Sequence, residues 1–376
     1  MREFQIAVNA GAHDRVNCPL SVALPEGVDA TTGTLHDPSG AEVPCQICEG
    51  AVFFMLTCQA ARTQAVYRLA LGGDEPAPAV TVEERTGAKV DVKIGGELFT
   101  TYNHGADLVR PYLYPFVAAG KQITRNWPIV TGVEGESKDH EHHKSVYTAH
   151  GLVNGTDNWS EGPNHGFTRH RAFALLESGP VNGRIVADND WLTKDRQKIL
   201  EQQTDLTFYN YPGGERLLDY LVTFRATEGA VLFGDTKEGG ILAVRVATSM
   251  DGNKGGLIEN SYGGLTERET WGKRAEWCDY SGRVEGAHLG IAIMDHPTSF
   301  RHPTYWHVRD YGLFTANPFG LSDFYGDKSH NGDHTLPADQ TLRFRYRLFV
   351  HRGDAPAADV RGRYLDFIFP PIAEIG

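Results

Sequence analysis

Apolar and polar residues alternate with a period of two through much of this chain. Leu342, Phe344, Tyr346, Leu348 and Val350 fall on one face of an extended run, and Arg343, Arg345 and Arg347 take the other. Leu218, Tyr220, Val222 and Phe224 form a second such row, and the stretch from Leu200 to Phe208 a third. Turn residues separate the runs. Asn182-Gly183, between Ala172–Leu176 and Ile185–Ala187, predicts a two-residue hairpin turn, and Tyr211-Pro-Gly-Gly214 joins two further strands. Stripes with the 3.6-residue helical period are nearly absent, and only Asp359–Phe367 reads as a helix. Many short strands punctuated by turns predict an all-β chain. A turn-and-linker stretch, Gly72-Gly-Asp-Glu-Pro-Ala-Pro-Ala79, divides it. Residues 1–85 are expected to form a small β-sandwich. Residues 86–376 are too many for a seven-stranded sandwich and are expected to form a large, multi-stranded antiparallel one.

Composition narrows the function. The 376 residues carry 36 Lys+Arg against 48 Asp+Glu, a formal charge of −12, and no basic stripe interrupts that balance. Nucleic acid is therefore an unsuitable partner. No apolar run approaches the roughly 18–20 residues of a spanning helix, which argues against a membrane role. Met1-Arg-Glu-Phe-Gln-Ile6 lacks the apolar segment of a secretory signal. Five cysteines, an odd and sparse set, read as free thiols in a reducing, cytoplasmic setting. Cys45-x-x-Cys48 lies in a strand-like run with no helix after it, unlike a redox motif. A Walker loop, a Gly-x-Gly-x-x-Gly after a strand and a Gly-x-Ser-x-Gly elbow are all missing, so no nucleotide cofactor is expected.

Histidine is the outlier. Seven of the 16 lie between His104 and His170, most densely in Glu134-Gly-Glu-Ser-Lys-Asp-His-Glu-His-His-Lys-Ser145. In an extended segment His140 and His142 would share a face and His143 would point away. The pair can hold one divalent ion, with Glu136 or a remote histidine completing the site. Without metal, Asp139 or Glu136 would orient a histidine as general acid or base. A solvated surface loop is the plain alternative. A His-x-His pair also resembles the cupin motif, but Val146 and Tyr147 stand where the cupin carboxylate is expected.

A second block, Asp295 to Tyr311, brings His296, His302 and His307 together with Tyr305, Trp306, Arg309 and Asp310. Aromatic faces beside charged groups suit a sugar, whose CH face stacks while its hydroxyls bond. Core packing of Trp306 and Tyr311 is the structural alternative. Trp159 reads as an aromatic platform after the turn at Asn154-Gly155. Lys273 and Arg274 lie between Trp271 and Trp277, and Pro111 fixes Arg110. The Arg343, Arg345 and Arg347 row can meet a carboxylate or polar ligand, or simply face water.

Several of these motifs occur in one order in a single bacterial family. They are Arg110-Pro-Tyr-Leu-Tyr-Pro115, Asp139-His-Glu-His-His-Lys-Ser145, His150-Gly-Leu-Val-Asn-Gly-Thr-Asp-Asn-Trp159, Trp271-Gly-Lys-Arg-Ala-Glu-Trp277 and the Asp295–Gly320 block. Over about Asp91 to His351 the chain resembles the family of unknown function often labelled "methane oxygenase PmoA-like". The label itself fits poorly, because the monooxygenase subunit it names is a membrane protein. The family's Asp-His-Pro-His-His appears here with Glu141 in place of proline. The resemblance implies carbohydrate catabolism, and the size and composition are similar at fold level to the galactose-mutarotase-like supersandwich. The expected function is a lyase or hydrolase cleaving a small glycoside or oxidised keto-sugar. A metal-free mutarotase-like epimerase and a non-catalytic sugar-binding protein are the alternatives. In the leading picture His140 and His142 hold a divalent ion, and His143, Glu136, Asp139 and His307 are catalytic. Arg110, Lys144, His150, Trp159, Lys273, His296, Tyr305, Trp306 and Arg309 contact a small-molecule sugar, and the protein can be oligomeric.

Overall fold

The computed structural model describes residues 2–376. As the alternation predicts, the regular structure is almost all antiparallel strand, arranged as layered sheets with long connecting loops and a few short helices. The largest core lies between two sheets. One runs, in spatial order, through Trp306–Val308, Leu313–Ala316, Gly239–Arg245, Val146–His150, Tyr112–Ala118, Glu97–Asn103, Lys89–Ile94 and Val80–Arg85, with Lys121–Gln122 on its side. The other runs through Phe167–Glu177, Asn182–Leu192, Lys198–Tyr209, Arg216–Arg225, Thr341–Arg352, Ala287–Asp295, Trp277–Val284 and Leu257–Asn260. Their inner faces interdigitate: Val146, Val244 and Phe314 from the first meet Leu218, Tyr220, Val222, Phe344, Tyr346 and Leu348 from the second in one buried cluster.

A separate core, built on Ile6, Val8, Leu20, Phe54, Leu56 and Leu69, lies between two smaller sheets of the N-terminal segment. The chain's last strand, Ile372–Ile375, returns to pair with Glu3–Asn9. Before it comes the one helix expected from sequence, Val360–Ile368, whose first turn is capped by the Asp359 carboxylate accepting from Gly362 N.

One turn differs from expectation. Asn182 and Gly183 lie inside a strand, and the hairpin turns instead over residues 178–181, Ser-Gly-Pro-Val. Pro180 has no amide hydrogen to give a ladder. Gly183 is required where Val80 and Val82 press on the sheet, since a Cβ there would lie 2.8 and 2.9 Å from their methyls. Among the described residues no helix is long and apolar enough to cross a membrane.

Candidate functional site

The histidine-rich segment packs on the outer face of the first sheet, the face away from the main core. That face carries Tyr112, Tyr147, Ala149, Ala243 and Leu313, and Trp159 closes over them. The segment is a turn rather than the extended run expected. His143 N donates to His140 O at 3.0 Å, which brings residues three apart together. The His140 ring therefore lies parallel to His143 (centroids 4.8 Å, 1°) and to Tyr311 (5.0 Å, 4°), while His142 stands edge-on to His143 at 4.3 Å. His140 is exposed and His143 is buried.

Two buried arginines set this geometry. A single Asp139 oxygen accepts from Arg125 Nη1 at 2.6 Å and from Arg245 Nη2 at 2.8 Å. Arg125 also bonds the carbonyls of Asp139 at 2.8 Å, His140 at 3.0 Å and His143 at 3.2 Å. Glu136 accepts from Asn126 N, Asn126 Nδ2 and Trp127 N, so both its oxygens hold the loop in place. So clamped, His140 keeps a φ of +44°, a left-handed conformation that side chains with a Cβ adopt at a cost of about 1–2 kcal/mol.

Electrostatics keep the buried imidazoles neutral. Burial, then the Arg110 charge, pushes His142 down to about 3. Burial, then His142 and Arg245, holds His143 well below the usual range. Burial works against Asp139, but Arg245 and Arg125 outweigh it and hold its carboxyl below 3.8. Arg245 Nη1 lies 3.3 Å from His143 Nδ1. A guanidinium can only donate, so that nitrogen is the acceptor and the proton sits on Nε2.

Tyr311 links the second block to the first. The guanidiniums of Arg245 and Arg309 lie 5.0 and 5.4 Å from its ring centre, and Arg309 Nε pairs with Glu267 at 2.8 Å. His307 is buried and accepts at Nδ1 from the Trp271 indole at 2.9 Å, so its proton is on Nε2. Burial, then Arg309, pushes His307 down to about 3, and His140 contributes to that shift.

Other sequence candidates lie elsewhere or hold the framework. Arg110 donates to the carbonyls of Asn158, Trp159 and Ser160 and pairs with Glu161, so it staples two loops together. Lys144 is bound to Glu161 at 2.7 Å, and Trp159 is buried against His142 and His143 rather than open as a platform. Trp306 points into the main core with its indole N–H on Ala275 O, and His150 lies in the same interior, bonding Gly234 O at 2.9 Å. Tyr305 packs on Phe324 and bonds Tyr325, and Lys273 is exposed. His296 lies at the other sheet, beside Arg345 and Phe367. For Trp306 and His150, which lie in strands, the displacement follows from parity: neighbours such as Trp306 and His307 face opposite ways.

Sequence reasoning missed Arg125 and Arg245. The signal for Arg245 was a lone charge ending the otherwise apolar run Ile241-Leu-Ala-Val244. His140 and His142 stand 5.9 Å apart at 76°. Among the described residues no group of three or more His, Cys, Asp or Glu side chains is placed to hold a metal ion.

Among curated proteins none matches this chain in sequence. Two solved structures align along its whole length at 10% identity. An alpha-mannosidase from Enterococcus faecalis has a TM-score of 0.45, with 46% of that chain covered. A glycosyl hydrolase family 38 protein from the same organism has 0.44, with 47% covered. The chain thus spans about half the length of each. A family model matches residues 89–364, nearly all of the large sandwich and its histidine patch, and the chain accordingly belongs to DUF6807, a family of unknown function.

Proposed function

We propose that the chain is a carbohydrate-active enzyme that cleaves a small glycoside or oxidised sugar by proton transfer at the His140 patch. One observation carries this reading: an exposed imidazole is held in a left-handed backbone conformation, clamped through its own carbonyl by Arg125 and aligned on Tyr311 and His143. Strain retained at an exposed side chain, and fixed by buried charges, marks a group whose placement matters. Exposed turn residues such as Glu49 and Arg62 share the left-handed backbone, so what sets His140 apart is the arginine clamp and the ring stacking.

In this reading His140 is the acid–base group. With a keto-sugar it takes the proton from the carbon beside the carbonyl. The C–H electron pair forms the new C=C bond as the glycosidic C–O bond breaks, and the proton passes back to the departing oxygen. Arg309, 31% exposed beside Tyr311 and paired at Nε with Glu267, offers the N–H groups that Glu267 leaves free as donors to the developing enolate. His142, His143 and His307 stay neutral and serve as hydrogen-bonding groups.

The test is a proton-NMR time course of the protein with a panel of small glycosides and their keto derivatives. Appearance of a free leaving group is expected. Anomer interconversion accelerated without bond cleavage would overturn the reading in favour of an epimerase, and binding without any turnover would favour a sugar-binding protein.

A further inference from the structure

The arginine row on strand Thr341–Arg352 does not simply face water. Arg343 and Arg345 line a cleft of about 660 Å³ on the outer face of the second sheet, whose far wall is Cys48, Glu49 and Phe53 of the N-terminal segment. That face is opposite the one on which the histidine patch lies.

The charges in this cleft are unevenly satisfied. Arg184 is consumed by Asp205, at 2.8 and 2.7 Å, and by Glu49 at 2.9 Å. Asp219 takes two bonds from buried Arg347 and one from the Tyr209 hydroxyl. Among the described residues Arg343 has no side-chain partner. Arg345 meets only the His296 ring, 3.3 Å away, and the face of Phe367. Burial, then Arg345, pushes His296 down to about 4, so it is neutral and leaves the Arg345 charge uncancelled. Glu177 is the one lining carboxylate without an ion-pair partner among the described residues. Glu49 and Asp205 share Arg184, Arg347 offsets Asp219 and Glu177 stands alone, so four carboxylates balance four guanidiniums overall. Arg343 and Arg345 are nevertheless the two cations with no carboxylate at ion-pair distance, on side chains about 6–7 Å apart along the strand. Thr207, Thr298 and Asn182 add neutral hydrogen-bonding groups.

We infer that this cleft is a second ligand site, taking a small hydroxylated monoanion of the sugar-acid class whose carboxylate sits between Arg343 and Arg345. A guanidinium fork matches a carboxylate in geometry and charge. A phosphate dianion would bring twice a carboxylate's charge beside Glu177, Glu49 and Asp205, where repulsion opposes it. The volume lies in the usual range for small-molecule sites. The inference stands apart from the histidine patch, since none of its residues belongs to both.

The test is calorimetric titration of the full chain with glucuronate, with glucose and inorganic phosphate as comparisons. Glucuronate is expected to bind, and at least tenfold more tightly than either comparison. Arg343→Gln and Arg345→Gln are each expected to weaken it at least tenfold, whereas His140→Asn leaves it unchanged. Arg343 is exposed and its side chain makes no hydrogen bond or ion pair among the described residues, so thermal melting of Arg343→Gln should match the parent and exclude misfolding as the cause. Absence of glucuronate binding, equal affinity for phosphate, or unchanged affinity in both arginine variants would overturn the inference.

Discussion

Removing Asp139 tests how the histidine patch is held together. Its carboxylate is the shared counter-charge for Arg125 and Arg245, whose side chains are wholly buried, while Asp139 itself is 38% exposed. Breaking a fully buried ion pair costs about 3–5 kcal/mol, because a buried charge is left alone. An exposed pair contributes about 0–1 kcal/mol. With one partner open to water, Asp139→Ala should fall between these limits, at about 2–3 kcal/mol. Asp139→Asn keeps an oxygen for both guanidiniums but loses the charge, so it should cost less, about 1–2 kcal/mol. The assay is urea unfolding followed by tryptophan fluorescence, with Trp127 and Trp159 beside the patch. The pH dependence has a defined sign. The folded carboxyl titrates below 3.8, so its stabilisation is present above that pH and is lost as pH falls through the folded value. The gap between parent and Asn variant should be constant at neutral pH and close in acid. An Ala variant within about 0.5 kcal/mol of the parent, the range of an unremarkable surface change, would refute the clamp.

Further outcomes follow from the same geometry. His140→Asn should alter stability by no more than about 1 kcal/mol, since asparagine tolerates the left-handed region, while turnover is lost. Trp271→Phe removes the donor to His307 Nδ1 and should shift the neutral ring from a single Nε2–H tautomer to a mixture, read by nitrogen-15 chemical shifts. Burial pushes Asp251 up to about 6, so its ionisation costs stability progressively as pH climbs from 3.8 toward 6. Asp251→Asn should flatten that slope in the stability–pH curve. A metal chelator should leave turnover intact, because the proton transfer proposed at His140 needs no ion, whereas an ion held by His140 and His142 predicts its loss.

Strand content was legible because alternation is a local signal. The row Leu342 to Val350 enters the core with the parity its spacing requires. The hairpin near Asn182 was legible in existence but not in position, since what fixes Gly183 in a strand is pressure from Val80 and Val82, a hundred residues away. The histidine cluster and Tyr311 could be singled out, but their stacking depends on a turn whose shape is set by Arg125 and Arg245, distant in sequence from each other and from the second block. Trp306, His150 and Trp159 look like ligand-facing groups in the sequence because polarity and aromaticity do not reveal which face of a strand or loop is covered. Arg110 shows the same limit from the other side: a rigidly placed arginine proves to bind main-chain carbonyls.

The central claim is that His140 is presented for proton transfer on a sugar. The most direct measurement is the proton-NMR cleavage time course run in parallel on the parent and on His140→Asn, with urea unfolding confirming that both are folded. Cleavage in the parent that falls at least a hundredfold in the variant, within the usual range for loss of a general acid or base, is the predicted result. Undiminished cleavage in His140→Asn would contradict it.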